Sequence, residues 1–306
     1  MTKAKNIVLT GAARGIGRAM ARTFCLQGHH LFLIDVDEEE LAYCARKHIP
    51  SVIAKATTSS TLDGNPGFKA CDLRDPDAVR KTIKAVAKHF EGRIHVLINN
   101  AGIAKPMWSK NRTMEDPAIL DEWTAYLETN LPAPFVVSQA CIPYMKMKEG
   151  SPEGELAAIP AEASAASAGK MQETSGDTSD GGCIINISSF RAKQSQANCE
   201  GYGASKAGLL GLTHAMAISG AQWGIRCNAI LPGYIDVMHE SRQADENDTA
   251  WAQEVGESQH RSHPSGRVGR GEDIAHAAEW LMDAGFVNGQ EVVVDGGVSK
   301  IKYSRA

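Results

Sequence analysis

The sequence predicts an α/β protein built on a parallel sheet with helices on both faces. Three observations predict it: short apolar runs rich in β-branched residues recur along the chain, helical patterns separate them, and a glycine turn follows the first run directly. Runs that are apolar at nearly every position suit strands covered on both sides, whereas a half-exposed strand alternates.

Residues 6–10 (N-I-V-L-T) are the first such run, followed by Gly11, Gly15 and Gly17 and then a helical pattern to Gln27. That order is the one a nucleotide site requires. Glycines let the backbone turn tightly and approach a pyrophosphate, whose charge meets the N–H groups and positive dipole end of the helix. The spacing is G-x-x-x-G-x-G, not the commoner G-x-G-x-x-G. Residues 31–35 (L-F-L-I-D) form the second run and end in Asp35, 18 residues beyond Gly17. A carboxylate there accepts hydrogen bonds from the adenosine ribose and repels a 2'-phosphate, so Asp35 favours NAD over NADP. Arg14 is the counterweight, because a guanidinium in the turn reaches a 2'-phosphate and keeps NADP open. The alternative role for Asp35 is to cap the next helix, expected over 38–47.

A polar loop at 55–66 leads to a strand at 67–71 and to Asp72 and Leu73, after which Asp75-Pro76 opens a helix over 76–90. Residues 94–98 form a buried strand that runs into Asn99, Asn100, Ala101 and Gly102. Amides and small residues at a strand's carboxyl end suit a crevice where a cofactor lies on the backbone. A loop with Met107 and Trp108, a helix near 119–128, Thr129-Asn130 and an apolar helix over 134–147 come next. Over 149–181 the composition shifts to Ala, Ser, Gly, Glu and Thr without apolar period, which predicts a disordered surface insertion with room for a short helix at 157–168. Strands at 183–187, 225–230 and 291–294 and helices at 201–222 and 271–284 complete the alternation. Pro232, Gly233 and Ile235 close the 225–230 strand, and the polar segment 236–263 reads as a cover that moves over the pocket.

The chemistry centres on residues 183–206. Tyr202 and Lys206 stand four apart on one helix face, and Ser188 and Ser189 lie at the tip of the preceding strand. A phenol with an ordinary pKa of about 10 exchanges protons poorly near neutrality. A positive charge about 5 Å away, at an effective dielectric of about 20, favours the phenolate by about 3 kcal/mol, or about 2 pKa units. Lys206 is placed to be that charge, and Ser189 to hydrogen-bond a reacting oxygen.

Composition narrows the function classes. At 306 residues and 43% apolar the chain buries a large core, read here as one domain over 1–306 interrupted by the 149–181 insertion. A net charge of -4 and the lack of a basic stripe argue against nucleic acid. No signal-like start and no membrane-length apolar run point to a soluble, cytoplasmic protein. Seven scattered cysteines without C-x-x-C spacing suggest reduced thiols, and His260 and His263 lack a third ligand, so no metal is expected.

With these motifs assembled, the chain resembles the short-chain dehydrogenase/reductase family in its compact single-domain branch. The matching motifs are T-G-A-A-R-G-I-G at 10–17, D-L at 72–73, N-N-A-G at 99–102, Asn130, Ser189, Y-x-x-x-K at 202–206, P-G-Y-I at 232–235 and the D-G-G ending. The gap of 13 residues from Ser189 to Tyr202 also fits, and selects Ser189 over Ser188. The resemblance implies a seven-stranded, doubly wound Rossmann-type sheet, a small carbonyl or alcohol substrate, and homotetramers or dimers packed through the helices flanking the Ser189 strand. It implies Tyr202 as acid/base, Lys206 as its electrostatic partner on the nicotinamide ribose, Ser189 on the substrate oxygen and Asn130 holding a relay water at a helix break. Gly11, Arg14, Gly15, Ile16 and Gly17 would line the pyrophosphate, while Asp35, Asp72 and Leu73 would contact adenosine. Asn99, Asn100, Ala101, Gly102, Pro232, Gly233 and Ile235 would contact the rest of the cofactor.

Two departures stand out. Many relatives place Thr where this chain has Val237, and the 149–181 insertion replaces a short connection. The competing readings are a catalytically silent scaffold or regulator, opposed by the intact Ser189, Tyr202 and Lys206, and an epimerase or dehydratase. The latter resembles the family's larger members, whose first turn and longer carboxyl-terminal domain are missing here.

Overall fold

A computed structural model describes residues 3–56, 65–147 and 181–301. The 149–181 insertion, apart from Gly181, and its 157–168 helix lie outside the described residues. Seven strands form one sheet: β1 (Asn6–Thr10), β2 (His30–Asp35), β3 (Gly67–Ala70), β4 (Val96–Asn99), β5 (Cys183–Ile187), β6 (Arg226–Pro232) and β7 (Glu291–Val294). Their spatial order is β3-β2-β1-β4-β5-β6-β7, and every neighbouring pair is parallel. This is the doubly wound arrangement, with the order reversing between β1 and β4.

The apolar runs divide by pleat between two core layers. Ile7, Leu9, Val96, Ile98, Ile185 and Ile187 face one layer, against α1 (Gly15–Leu26) and the carboxyl-terminal helix Gly271–Asp283. Val8, Leu97 and Ile184 face the other, against helices Pro76–His89 and Pro132–Met145. Because alternate side chains of a strand point to opposite faces, only a run apolar at consecutive positions fills both layers.

Helical bounds shift where proline intervenes. The helix expected to end near Lys47 runs from Glu38–Tyr43 through a wider turn at Cys44–His48 into Ile49–Ala56. Pro50 has no N–H for the Arg46 carbonyl, and the ladder instead skips a residue, with Ile49 N–H donating to the Cys44 carbonyl. Likewise α-helix Leu120–Asn130 breaks at Leu131 before Pro132–Met145. Pro132 and Pro134 offer no N–H to the carbonyls of Glu128 and Asn130 four residues back.

Leu97 is fully buried in mid-sheet, so Leu97→Ala is expected to cost about 2–5 kcal/mol of unfolding free energy. Urea titration followed by circular dichroism checks this, with an unchanged urea slope expected.

Candidate active site

At the point where strand order reverses, the loops leaving β1 and β4 diverge and leave a crevice at the strands' carboxyl ends. Its floor is bare backbone. Gly11 has φ +65°, and a Cβ there would lie 2.6 Å from Ala101 Cα; a Cβ on Gly17 would lie 1.9 Å from the Gly11 carbonyl oxygen. Any side chain at either position would push the turn apart. Asn100 braces this contact, its Nδ2 donating to the Thr10 and Gly11 carbonyls at 3.1 and 2.9 Å, while Thr10 Oγ1 accepts the N–H groups of Asn100 and Ala101 at 3.1 Å each. Gly15, at φ +61°, begins α1, and Ile16 packs into the adjoining core layer.

At the end of β2, Asp35 Oδ2 accepts the Ala13 N–H at 3.0 Å and Oδ1 the Asp37 N–H at 3.1 Å. The cap of helix Glu38–Tyr43 is Asp37, which accepts the Glu40 N–H at 3.1 Å. Asp35 therefore stays in the crevice wall, with a lone pair left on each oxygen. Asp37 also pairs with the Arg14 guanidinium. Asp72 is gripped by Arg74 at 2.6 Å, and that contact holds its carboxyl below the usual range; Leu73 packs against the core.

Asn99 departs from the expectation of a cofactor contact. Its side chain is buried, donating from Nδ2 to Ser138 Oγ at 3.1 Å and to Asn186 Oδ1 at 2.9 Å. The pleat sends it beneath the strand end, so only its neighbour Asn100 reaches the turn. Gly233 likewise serves packing: a Cβ there would meet Asp295 at 2.7 Å, and its N–H donates to the Val294 carbonyl at 2.9 Å, tying the end of β6 after Pro232 to β7. Ile235 bridges to Gly269 and packs into the core layer under the crevice.

Ser189, Tyr202 and Lys206 converge at the end of β5. Tyr202 and Lys206 lie on helix Glu200–Gly220 and are buried, as is Ser189. Lys206 Nζ lies 5.9 Å from the Tyr202 ring centroid and donates to the Ile187 carbonyl at 2.8 Å. Burial lowers the Lys206 pKa to about 8. Burial raises the Tyr202 phenol above its ordinary value, and a hydrogen bond from Ser189 and the charge of Arg191 pull the other way without cancelling it. The sequence leads one to expect a phenol lowered by Lys206; the protein alone holds it high, because removing the hydroxyl from water outweighs the nearby donors. Gly102 opens onto these groups, a Cβ there falling 2.8 Å from Asn130 Oδ1 and 3.4 Å from Lys206 Nζ. The Asn130 side chain is spent on structure: Nδ2 donates to Ser205 Oγ at 3.0 Å and Oδ1 accepts the Ile103 N–H at 2.8 Å. Its main-chain carbonyl, facing Pro134 four residues on, is the group the helix break frees. Tyr126 lies edge-on to Tyr202 at 6.3 Å and Trp108 to Tyr126 at 5.7 Å, so an aromatic wall backs the phenol.

The cover expected over 236–263 contains two short helices, Arg242–Glu246 and Glu257–Arg261, and its first part is anchored to α1. Glu240, 1% exposed, takes Arg22 at 2.9 and 2.6 Å; Arg18, fully buried, takes Asp245 at 2.6 and 2.5 Å. The Glu240 carbonyl accepts the Gly15 N–H at 2.9 Å, joining this strap directly to the glycine turn. Sequence reading misses this clamp. Its signal is the pair Arg18 and Arg22, four apart on an otherwise apolar helix face.

Fold and crevice together define a dinucleotide-binding α/β enzyme. A short chain dehydrogenase model matches residues 5–171, and an enoyl-(acyl carrier protein) reductase model residues 161–299. The chain belongs to the short-chain dehydrogenase/reductase family, an oxidoreductase family that uses NAD(P). It is 31% identical over 302 residues to an uncharacterized oxidoreductase of Thermotoga maritima, covering 98% of this chain and 97% of that one. A 3-oxoacyl-[acyl-carrier-protein] reductase of the same organism is 28% identical, with 96% and 97% covered. Among solved structures, levodione reductase superposes with a TM-score of 0.70 at 25% identity, covering 97% of this chain and 98% of that one.

Burial raises the Glu240 carboxyl, but hydrogen bonds with His239 and Arg22 outweigh it and hold the pKa at about 2. A depressed carboxylate stabilises fully above its unfolded pKa and loses that contribution as pH falls through the folded one. Glu240→Gln is expected to destabilise by about 1–3 kcal/mol at pH 7, since it removes a buried carboxylate from Arg18 and Arg22 while leaving Asp245 and Glu272 as their remaining partners. In urea unfolding the gap to wild type should be full above pH 4.5 and narrow toward pH 2, with faster proteolysis within 236–263 at neutral pH.

Proposed function

We propose that the protein is an NAD-dependent oxidoreductase that interconverts a carbonyl and a secondary alcohol. The observation that carries this reading is the meeting of Ser189, Tyr202 and Lys206 beside the bare backbone of Gly11 and Gly102. The cradle fits a dinucleotide: a glycine turn, an exposed helix start and a carboxylate at the end of β2 stand in the order such a ligand needs. When bound, the nicotinamide supplies or takes the hydride, and its oxidised ring adds positive charge near the phenol.

Ser189 holds the substrate oxygen, and Tyr202 gives it a proton in reduction or takes one in oxidation. Lys206 keeps its ammonium toward the strand end and the nicotinamide ribose. The freed Asn130 carbonyl would hold a water that passes the proton from solvent toward Tyr202 in reduction and back to solvent in oxidation. Gly11, Arg14, Gly15, Ile16 and Gly17 line the pyrophosphate; Asn100, Ala101, Gly102 and Ile235 flank the nicotinamide half.

NAD is favoured on two grounds. Asp35 has lone pairs free for ribose hydroxyls, and Asp37 already holds the one guanidinium in the turn, so a 2'-phosphate would meet two carboxylates. A homo-oligomer is supported by Phe135 and Ile218, exposed by 45% and 71% on the helices flanking β5. Seven buried free thiols support a reducing, cytoplasmic setting. All seven strands share one sheet, which supports reading 1–306 as one domain.

Tyr202→Phe should bind NADH as wild type does, read by quenching of tryptophan fluorescence, yet lose about 10²–10⁴-fold in kcat on any carbonyl it reduces; retained turnover would overturn the assignment. In the same titration NADH should bind more tightly than NADPH, and Asp37→Ala should narrow the difference. NADPH binding tighter to wild type transfers control to Arg14.

A further inference from the structure

Arg191 has no role in the site as described. It lies in the short helical turn Phe190–Ala192 directly after β5, and its N–H caps onto Ser189 Oγ at 3.1 Å, so the two residues move as one unit. Its guanidinium lies over the Phe190 ring at 4.6 Å, which fixes its plane. The side chain is only partly exposed, and among the described residues it pairs with no carboxylate. Its single protein hydrogen bond, to the Gln194 carbonyl, is long at 3.5 Å.

Nearby charges are already committed. Glu200 accepts the Trp108 indole N–H at 2.8 Å, and Lys193 pairs with Glu291. Arg191 is thus a partly buried cation that, among the described residues, uses one of its five donors and stacks on the ring next to Ser189. Burial raises the Tyr202 phenol and the Cys199 thiol, and the Arg191 charge opposes that rise at both. Keeping a guanidinium partly desolvated without a counter-ion is unfavourable, and a bound carboxylate removes the penalty through two parallel hydrogen bonds.

We propose that Arg191 binds a carboxylate on the substrate, so that the carbonyl compounds this enzyme reduces are oxo acids. This rests on the carbonyl–alcohol reading above and narrows it to a substrate class. The fork takes the carboxylate while Ser189, tied to the same turn, takes the carbonyl oxygen. One rigid element then sets both the acid group and the reacting centre.

The test compares oxo acids with their methyl esters, using NADH, wild type, Arg191→Met and Arg191→Lys. Losing a hydrogen bond to a charged group costs about 10- to 100-fold. The acid-over-ester ratio of kcat/KM should therefore fall by about that factor in Arg191→Met, mostly through KM, and recover partly in Arg191→Lys. Any change in the Tyr202 proton affinity affects acid and ester alike and cancels in the ratio. An unchanged ratio, or wild type that prefers the esters, overturns the proposal. A second measurement needs no turnover: benzoate and benzamide are titrated against wild type and Arg191→Met by tryptophan fluorescence, Trp108 being close by. Benzoate should bind wild type more tightly than the variant, and equal affinity overturns the proposal. If wild type turns over neither acids nor esters yet discriminates benzoate in this way, the carbonyl–alcohol reading fails and the anion site stands.

Discussion

The ends of β1 and β4 meet with no room for a side chain between them, since a Cβ on Gly11 would lie 2.6 Å from Ala101 Cα. Everything functional is placed by that contact. It brings the glycine turn of β1 and the Asn100–Gly102 turn of β4 edge to edge, and the Asn100 amide and Thr10 hydroxyl lock them together. A side chain at Gly11 would collide with Ala101 and one at Gly17 with the Gly11 carbonyl, so the glycines there answer a packing demand. The crevice is therefore a product of how parallel strands reverse their order, with the ligand-facing backbone left bare.

Onto this rigid floor the chain adds two groups that water would treat very differently. The Tyr202 phenol and the Lys206 ammonium are both buried, and burial moves them in opposite directions, the phenol up and the ammonium down to about 8. Each is thereby held closer to its neutral form than in water. Such a site is electrostatically incomplete by itself, and added positive charge near the phenol shifts its balance more than in solution, because little solvent screens it. The strap after β6 is tied to the glycine turn and α1. Buried Glu240 and the more exposed Asp245 neutralise two arginines of α1, so the cover is fixed to the same helix whose start faces the crevice.

The legible parts of the sequence were those governed by local pattern. The strands at 6–10 and 183–187 were readable to the residue, because runs apolar on both faces have few alternatives in a protein of this size. Asp75-Pro76 announced its helix for an equally local reason. The helix over 38–47 was misjudged at its far end, since the proline that should have stopped it was absorbed by a wider turn. Asn99 was misplaced because adjacent asparagines look alike until the pleat sends one inward and one to the turn. The clamp of Arg18, Arg22, Glu240 and Asp245 joins positions more than two hundred residues apart, and charge spacing within one helix does not name such partners.

The sequence by itself determined the layer order of the fold, the glycine turn, the Tyr202–Lys206 spacing and the family, since each depends on residue types a few positions apart. Tertiary structure alone decided that the phenol sits above its ordinary pKa, that Asp37 takes Arg14, that the cover is pinned at Glu240 and that Arg191 meets no carboxylate among the described residues. Those outcomes depend on desolvation and on which distant charge arrives first, and both are set only when the chain closes on itself.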